Sequence, residues 1–171
     1  MKKNLYIIGM PASGKTTIGK WLAEKMGVGF LDIDEAIVEK TGLSIYQYFK
    51  EFGEESFRNL ETQILRESDQ IEKRIISCGG GTVAHSDNMK WVLNHGLTLF
   101  LNTDQEIILQ RIQNSFALRP MFESLSVEEI RKKLQEIHEN RVNFFSQSKI
   151  IWNKSTPSNI LYVAVNQLIK D

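Results

Sequence analysis

Residues Gly9-Met10-Pro11-Ala12-Ser13-Gly14-Lys15-Thr16 spell glycine, four residues, glycine, lysine and a hydroxyl side chain. They follow an apolar run, Leu5-Tyr6-Ile7-Ile8, and lead into a helical pattern. This is the strand–loop–helix setting in which the spacing binds phosphate. The two glycines let the chain turn and approach phosphate oxygens where a Cβ would clash. Backbone N–H groups from Ala12, Ser13, Gly14, Lys15 and Thr16, with Thr17 next in line, then face an anion at a helix N-terminus. Lys15 supplies a mobile positive charge for β- and γ-phosphates, and the Thr16 hydroxyl is a ligand type suited to Mg²⁺. A chance glycine-rich turn is the plainer alternative, but it would carry no strand before it and no lysine at this offset. The expectation is a nucleotide-phosphate site.

A second group of residues could serve an acceptor. Asp32 and Asp34 are two apart, so in an extended segment both carboxylates project to one side. Asp32 reads as part of a metal shell and Asp34 as the group that positions or deprotonates an acceptor hydroxyl. The competing role for Asp34 is a helix N-cap. Gly79-Gly80-Gly81 at a strand end costs chain entropy unless close backbone approach is required, which suggests an N–H platform facing a substrate rather than a loose turn. Arg58 has no acidic residue four positions on, where Thr62 stands. Its planar fork suits a carboxylate, the alternative being a surface or capping arginine.

The elements that must position these residues alternate along the chain. Strands are expected over 5–8, 30–31, 74–78, 97–101 and 149–152, and helices over 14–26, 35–40, 45–52, 54–68, 87–94, 104–113, 126–145 and 158–169. Ser44 and Ser126 are expected N-caps, and Glu128 and Glu129 sit in a first helical turn. Strands alternating with helices predict an α/β fold with a parallel sheet and right-handed crossovers. Ligands in such sheets bind beyond the carboxyl ends of the strands, where Gly9, Asp32, Asp34, Gly79, Gly80 and Gly81 all fall.

Bulk properties narrow the class. At 171 residues, one domain is expected. Lys+Arg and Asp+Glu are both 21, so no global basic field argues for nucleic acid or an anionic membrane. The single cysteine, Cys78, excludes an intrachain disulfide and fits a reducing compartment; it is expected as a buried core thiol. No run approaches a membrane span, and the N-terminal apolar stretch is too short for a signal sequence. A cytoplasmic protein with no nucleic-acid or membrane partner is expected. His85, His95 and His138 are too scattered for a metal site. Trp21, Trp91 and Trp152 read as packing residues, and Lys132-Lys133 as a solvated helix face. Phe49 and Phe57, flanking Arg58, could either wall an acceptor pocket or pack the core.

Together these segments resemble the shikimate kinases over essentially the whole chain. The resemblance rests on the phosphate loop, Phe30-Leu31-Asp32-Ile33-Asp34, Thr41-Gly42-Leu43-Ser44-Ile45, Phe49, Gly53-Glu54, Phe57-Arg58 and Glu61. It continues through Gly79-Gly80-Gly81, Arg111, Arg119-Pro120-Met121 and Glu139-Asn140-Arg141. It implies a three-layer α/β/α P-loop kinase fold related to the nucleoside monophosphate kinases, with a five-stranded parallel sheet in the order 2-3-1-4-5. A single domain over 1–171 would carry the phosphate loop at 9–16, a substrate-binding region near 34–61 and a mobile lid near 114–125. The implied activity is transfer of the γ-phosphate of MgATP to the 3-hydroxyl of shikimate, a step of aromatic amino acid biosynthesis, by a monomer. By position, Lys15, Asp34 and Arg119 would be catalytic, with Arg119 reaching the transferred phosphate from the lid. Ala12, Ser13, Gly14, Lys15, Thr16, Thr17, Arg111 and Arg119 would hold the nucleotide, Arg111 near the adenine. Asp34, Arg58, Gly79, Gly80, Gly81 and Arg141 would hold shikimate, and Thr16 and Asp32 the Mg²⁺.

The chain departs from the family pattern at Met10-Pro11-Ala12-Ser13, where many members have Phe-Met-Gly-x. It also has Met121-Phe122 for a Leu-Leu pair, and Val142-Asn143-Phe144-Phe145 after the late arginine. The rivals are a kinase for another hydroxy acid such as gluconate, a nucleoside monophosphate kinase, and a catalytically silent binding protein. Arg58, Arg141 and the triple glycine argue against the first, intact Lys15, Asp34, Arg58 and Arg119 argue against the last, and ADP formation with AMP or CMP and none with shikimate would reveal the second.

Overall fold

The computed structural model describes residues 3–70, 74–114, 122, 125–153 and 158–169. Five strands form one parallel sheet: β1 (Asn4–Ile8), β2 (Gly29–Asp32), β3 (Arg74–Ser77), β4 (Gly96–Asn102) and β5 (Ile150–Asn153). Their order is β2-β3-β1-β4-β5, as the resemblance implies. The helices are α1 (Lys15–Met26), α2 (Ile33–Thr41), α3 (Ile45–Glu67), α4 (Asn88–His95), α5 (Gln105–Gln113), α6 (Val127–Phe145) and α7 (Ser158–Leu168).

The central strand is buried along its whole length, and the period of two divides it between two cores. Leu5 and Ile7 pack with Ile75, Leu97, Leu99 and Leu101 beneath α1 and α7. Tyr6 and Ile8 point the other way, joining Ile76 and Phe100 against α3 and α6 residues such as Leu65 and Phe145. A strand apolar on both faces belongs inside a parallel sheet covered by helices on each side. Register follows: Tyr6 lies beside Ile76 on one neighbour and Thr98 on the other.

Helix starts follow the chemistry of their caps. The Asp32 carboxylate accepts the N–H groups of Asp34 and Glu35, so α2 begins at Ile33, two residues before the start expected from sequence. Asp34 therefore lies in a first helical turn, and the extended Asp-x-Asp geometry expected from its spacing is corrected. Asp32, not Asp34, is the cap. Ser44 with Gln47, and Ser126 with Glu129, each form a reciprocal capping box, both on serines expected as caps. The two expected helices flanking Gly53 run on as α3, but Gly53 itself leaves helical geometry at φ 78°, ψ 173°. That conformation favours glycine and separates the aromatic segment of Tyr48 and Phe49 from the turn carrying Arg58.

Among the described residues, no helix is long and apolar enough to cross a membrane. Most of the expected lid, including Arg119, Pro120 and Met121, lies outside the described residues. Within it, Phe122 is buried in the core shared by α3 and α6.

Candidate active site

The turn between β1 and α1 wraps one side of a cavity of about 500 Å³ beyond the carboxyl ends of the strands. Gly9 and Gly14 adopt φ +149° and +100°, and a Cβ on Gly9 would stand 2.9 Å from the Leu101 carbonyl oxygen. Ala12 also has positive φ, at 57°. An α-helix leaves its first N–H groups without intrahelical acceptors, and the residues that carry them in α1, Lys15, Thr16 and Thr17, line the cavity. The Ser13 N–H is the exception among the amides expected to face an anion. It donates to the Met10 carbonyl at 3.2 Å, closing the turn. Lys15, only 7% exposed, reaches back to donate to the carbonyls of Gly9 (3.1 Å) and Met10 (2.9 Å).

Ala12, Ser13, Gly14, Lys15, Thr16, Thr17, Asp32, Asp34 and Arg111 all line this one cavity, so every described residue assigned to nucleotide or metal is brought together. Thr16 Oγ1 donates to Asp32 Oδ2 at 2.7 Å, while Asp32 Oδ1 accepts the Asp34 N–H at 3.0 Å. A hydroxyl and a carboxylate touching at the mouth of an anion-binding loop are hard oxygen donors of the kind Mg²⁺ takes alongside phosphate oxygens and water. No cluster of three His, Cys, Asp or Glu side chains that could hold a metal ion occurs among the described residues.

A second set of side chains assembles around the glycine run after β3. Arg58 Nη1 donates to Glu61 Oε2 at 2.5 Å, and Arg58 Nη2 meets Glu54 at 3.4 Å. Thr82 Oγ1 donates to the other Glu61 oxygen at 2.5 Å. Glu61 is 1% exposed and Arg58 9%. Arg141, from α6, donates to the Gly80 carbonyl at 2.8 Å. Each glycine admits a different neighbour. A Cβ on Gly79 would overlap Glu61 and stand 3.1 Å from Asp34 Oδ1. One on Gly80 would meet the Pro11 ring at 2.8 Å, and one on Gly81 the Arg58 guanidinium at 2.8 Å. The run is thus the seam where Arg58, Glu61 and Arg141 meet the phosphate loop.

No acidic residue stands four positions on from Arg58, but its acidic partners lie three residues on, at Glu61, and four back, at Glu54. The helical i,i+3 spacing was the available signal for Glu61. Burial pushes the Glu61 carboxyl above the ordinary carboxylate range, against the pull of Arg58. Burial, then the nearby Arg58 charge, pull Arg141 below the usual arginine value. Two guanidinium groups crowded at one place favour an anion between them.

Other assignments resolve as packing. Phe57 is buried with Phe49 against it, rings 4.4 Å apart, and the Arg58 guanidinium stands over the Phe57 ring. Cys78 is buried, and burial drives its thiol pKa far up, as an inert core cysteine requires. Trp91 is stacked with His95. Trp152 packs in the core yet also lines the cavity, a placement its sequence context did not reveal. Thr103, overlooked in the sequence, lines the cavity too.

A parallel sheet in this order, with a phosphate loop between β1 and α1 and an acidic residue, Asp32, at the end of β2 in hydrogen-bond contact with Thr16, defines a P-loop kinase. The chain belongs to the shikimate kinase family, whose model, described as shikimate kinase, matches residues 11–169. It is 34% identical to the shikimate kinase of Persephonella marina over 167 residues, covering 98% of this chain and 97% of that one. The crystal structure of the Bacteroides thetaiotaomicron shikimate kinase superposes with a TM-score of 0.89 at 29% identity, covering 99% of each chain. That of the Acinetobacter baumannii shikimate kinase in complex with shikimate gives 0.87 at 30% identity, covering 98% of this chain and 92% of that one.

Proposed function

We propose that the protein transfers the terminal phosphate of ATP to the 3-hydroxyl of shikimate, releasing ADP and shikimate 3-phosphate. The observation that carries this reading is the convergence of Arg58 and Arg141 on the 79–81 seam, with Asp34 beside it and the phosphate loop adjoining. Shikimate has a carboxylate at one end and hydroxyls at the other. A pocket with paired guanidinium groups and a separate aspartate matches that polarity. Asp34 accepts the proton of the attacking hydroxyl, the new P–O bond forms as the bond to the β-phosphate breaks, and ADP carries away the electron pair.

Lys15 and the amides of the α1 N-terminus hold the phosphates, Arg111 lies on the base side, and Gly79, Gly80 and Gly81 give the acceptor close access to backbone. Thr16 and Asp32 would hold Mg²⁺, which when bound neutralises phosphate charge. The family resemblance assigns the transferred phosphate to Arg119, which lies outside the described residues. A coupled assay of ADP release tests the reading with shikimate, quinate, gluconate and AMP offered in turn. Turnover with shikimate far above the others is expected. Turnover with gluconate or AMP and none with shikimate would overturn it.

A further inference from the structure

In the phosphate loop five carbonyl oxygens are each engaged by a donor. Lys15 Nζ takes those of Gly9 and Met10, and the Ile18 N–H takes that of Gly14 at 3.0 Å. The remaining two are held from elsewhere in the fold. Arg111 Nη1, in the last turn of α5, donates to the Ala12 carbonyl at 2.8 Å. Thr103 Oγ1, just beyond β4, donates to the Ser13 carbonyl at 2.9 Å. The peptide unit joining Ala12 to Ser13 is therefore fixed at both ends, its C=O by Arg111 and its N–H by the Met10 carbonyl. It follows directly on Ala12, whose φ of 57° is unfavourable for any residue with a Cβ. Left alone, this peptide would relax toward negative φ and rotate. A carbonyl turned into the cavity would set partial negative charge against phosphate oxygens.

We infer that Arg111 and Thr103 are positioning residues for the donor phosphates: they keep the Ala12 and Ser13 carbonyls turned out of the cavity so that the amides at the start of α1 face the anion unopposed. The inference rests on the nucleotide reading of the loop. It gives Arg111 a task beyond any contact with the base. The edge of its guanidinium clamps the loop, with Nη1 also within 3.2 Å of where a Gly14 Cβ would stand, and its flat face stays available to the base.

Magnesium tripolyphosphate separates the two tasks, because it has the donor's phosphates and neither base nor ribose. Its affinity and that of MgATP are measured by calorimetry for the wild type, Thr103→Val, Arg111→Gln, and each variant combined with Ala12→Gly, with folding checked by circular dichroism. Arg111→Gln is expected to weaken tripolyphosphate by about tenfold and MgATP by at least as much, since its contact with the base goes too, and Thr103→Val to weaken both by about threefold, as befits one charged and one neutral hydrogen bond. KM for shikimate should not move. Ala12→Gly should shrink the loss caused by Arg111→Gln, since glycine holds a positive φ without a clamp. Loss of ATP affinity with tripolyphosphate binding untouched would reduce Arg111 to a base contact and overturn the inference. A silent Thr103→Val, with an Arg111→Gln loss indifferent to Ala12→Gly, would overturn it as a bare charge effect. Should Arg111→Gln not fold, the charge-neutral and nearly isosteric Thr103→Val decides alone, unchanged tripolyphosphate affinity being the overturning result. A wild type that binds tripolyphosphate but does not phosphorylate shikimate would remove the acceptor assignment and leave this one standing.

Discussion

The proposed donor and acceptor ends of the site are built from different materials. The donor end is backbone: a turn, a helix N-terminus and one lysine that braces the same turn through Gly9 and Met10. The acceptor end is charged side chains drawn from α2, α3 and α6, with the Arg58–Glu61 pair sunk into the protein. Amides cannot lose or gain charge, so the donor end needs only the right dihedrals and its carbonyls turned away. A buried guanidinium costs several kcal/mol unless a countercharge stands beside it. Glu61 supplies that countercharge, and Thr82 and Arg58 between them satisfy both of its oxygens. The proposed carboxylate-binding arginine is thus held in place before any ligand arrives.

The largest effect that tests this contrast belongs to the donor end. Lys15→Ala removes the one mobile charge in the loop, and kcat for ADP release should fall about 10³-fold, the weight of a charged contact on a transferring phosphate. Circular dichroism should show a folded protein, because the loop keeps its Ala12, Ser13 and Gly14 carbonyl partners. A near-normal kcat would confine Lys15 to bracing the turn and leave the donor end with backbone alone.

At the acceptor end the informative change is Arg58→Lys. Arg58→Ala would strand the buried Glu61 carboxylate and confuse stability with binding. Lysine keeps a positive charge for Glu61 but loses the planar fork. KM for shikimate should rise about tenfold, with KM for ATP within about twofold of the wild type. Equal movement of both constants would make Arg58 a structural ion pair and blur the division between the two ends.

The same division explains how much the sequence could reveal. The donor end is local: the loop glycines, Lys15 and Thr16 fall within eight consecutive residues, and their spacing alone encodes the geometry. Sheet and helices were legible for a similar reason, since the alternating apolar runs and the Ser44 and Ser126 caps act over a few residues. What stayed hidden depends on distant contacts or on one dihedral. Nothing near Ser13 announces that Thr103 will hold its carbonyl, ninety residues away. Trp152 reads as a packing residue until the fold sets it at the cavity wall. The Asp32–Asp34 pair was misjudged because the chain turns helical at Ile33, so a spacing argument for strands ran one residue too far. The partner of Arg58 stays out of view because a search four residues ahead passes over one three ahead.

The smallest expected effect concerns the pH at which the acceptor end is best held. Desolvation raises the native pKa of Glu61 above its unfolded value of 4.5, with Asp34 adding to the rise and Arg58 and Thr82 opposing it. A carboxyl with a raised native pKa binds its proton more tightly when folded. Its contribution to stability is complete below the unfolded pKa and is lost as pH climbs through the native one. Glu61→Gln keeps the shape and an acceptor for Thr82 but cannot titrate. The stability of the wild type relative to Glu61→Gln should therefore be greatest near pH ~4 and decline toward neutrality, read as the difference in urea midpoints across that range. A difference constant with pH would mean that Arg58 cancels the cost of burial entirely, so that Glu61 titrates alike in both states. The donor end holds its ligand by other groups, backbone amides and a lysine bonded to the Gly9 and Met10 carbonyls. KM for ATP should accordingly stay level in Glu61→Gln while KM for shikimate rises, because Arg58 has lost the partner that orients it.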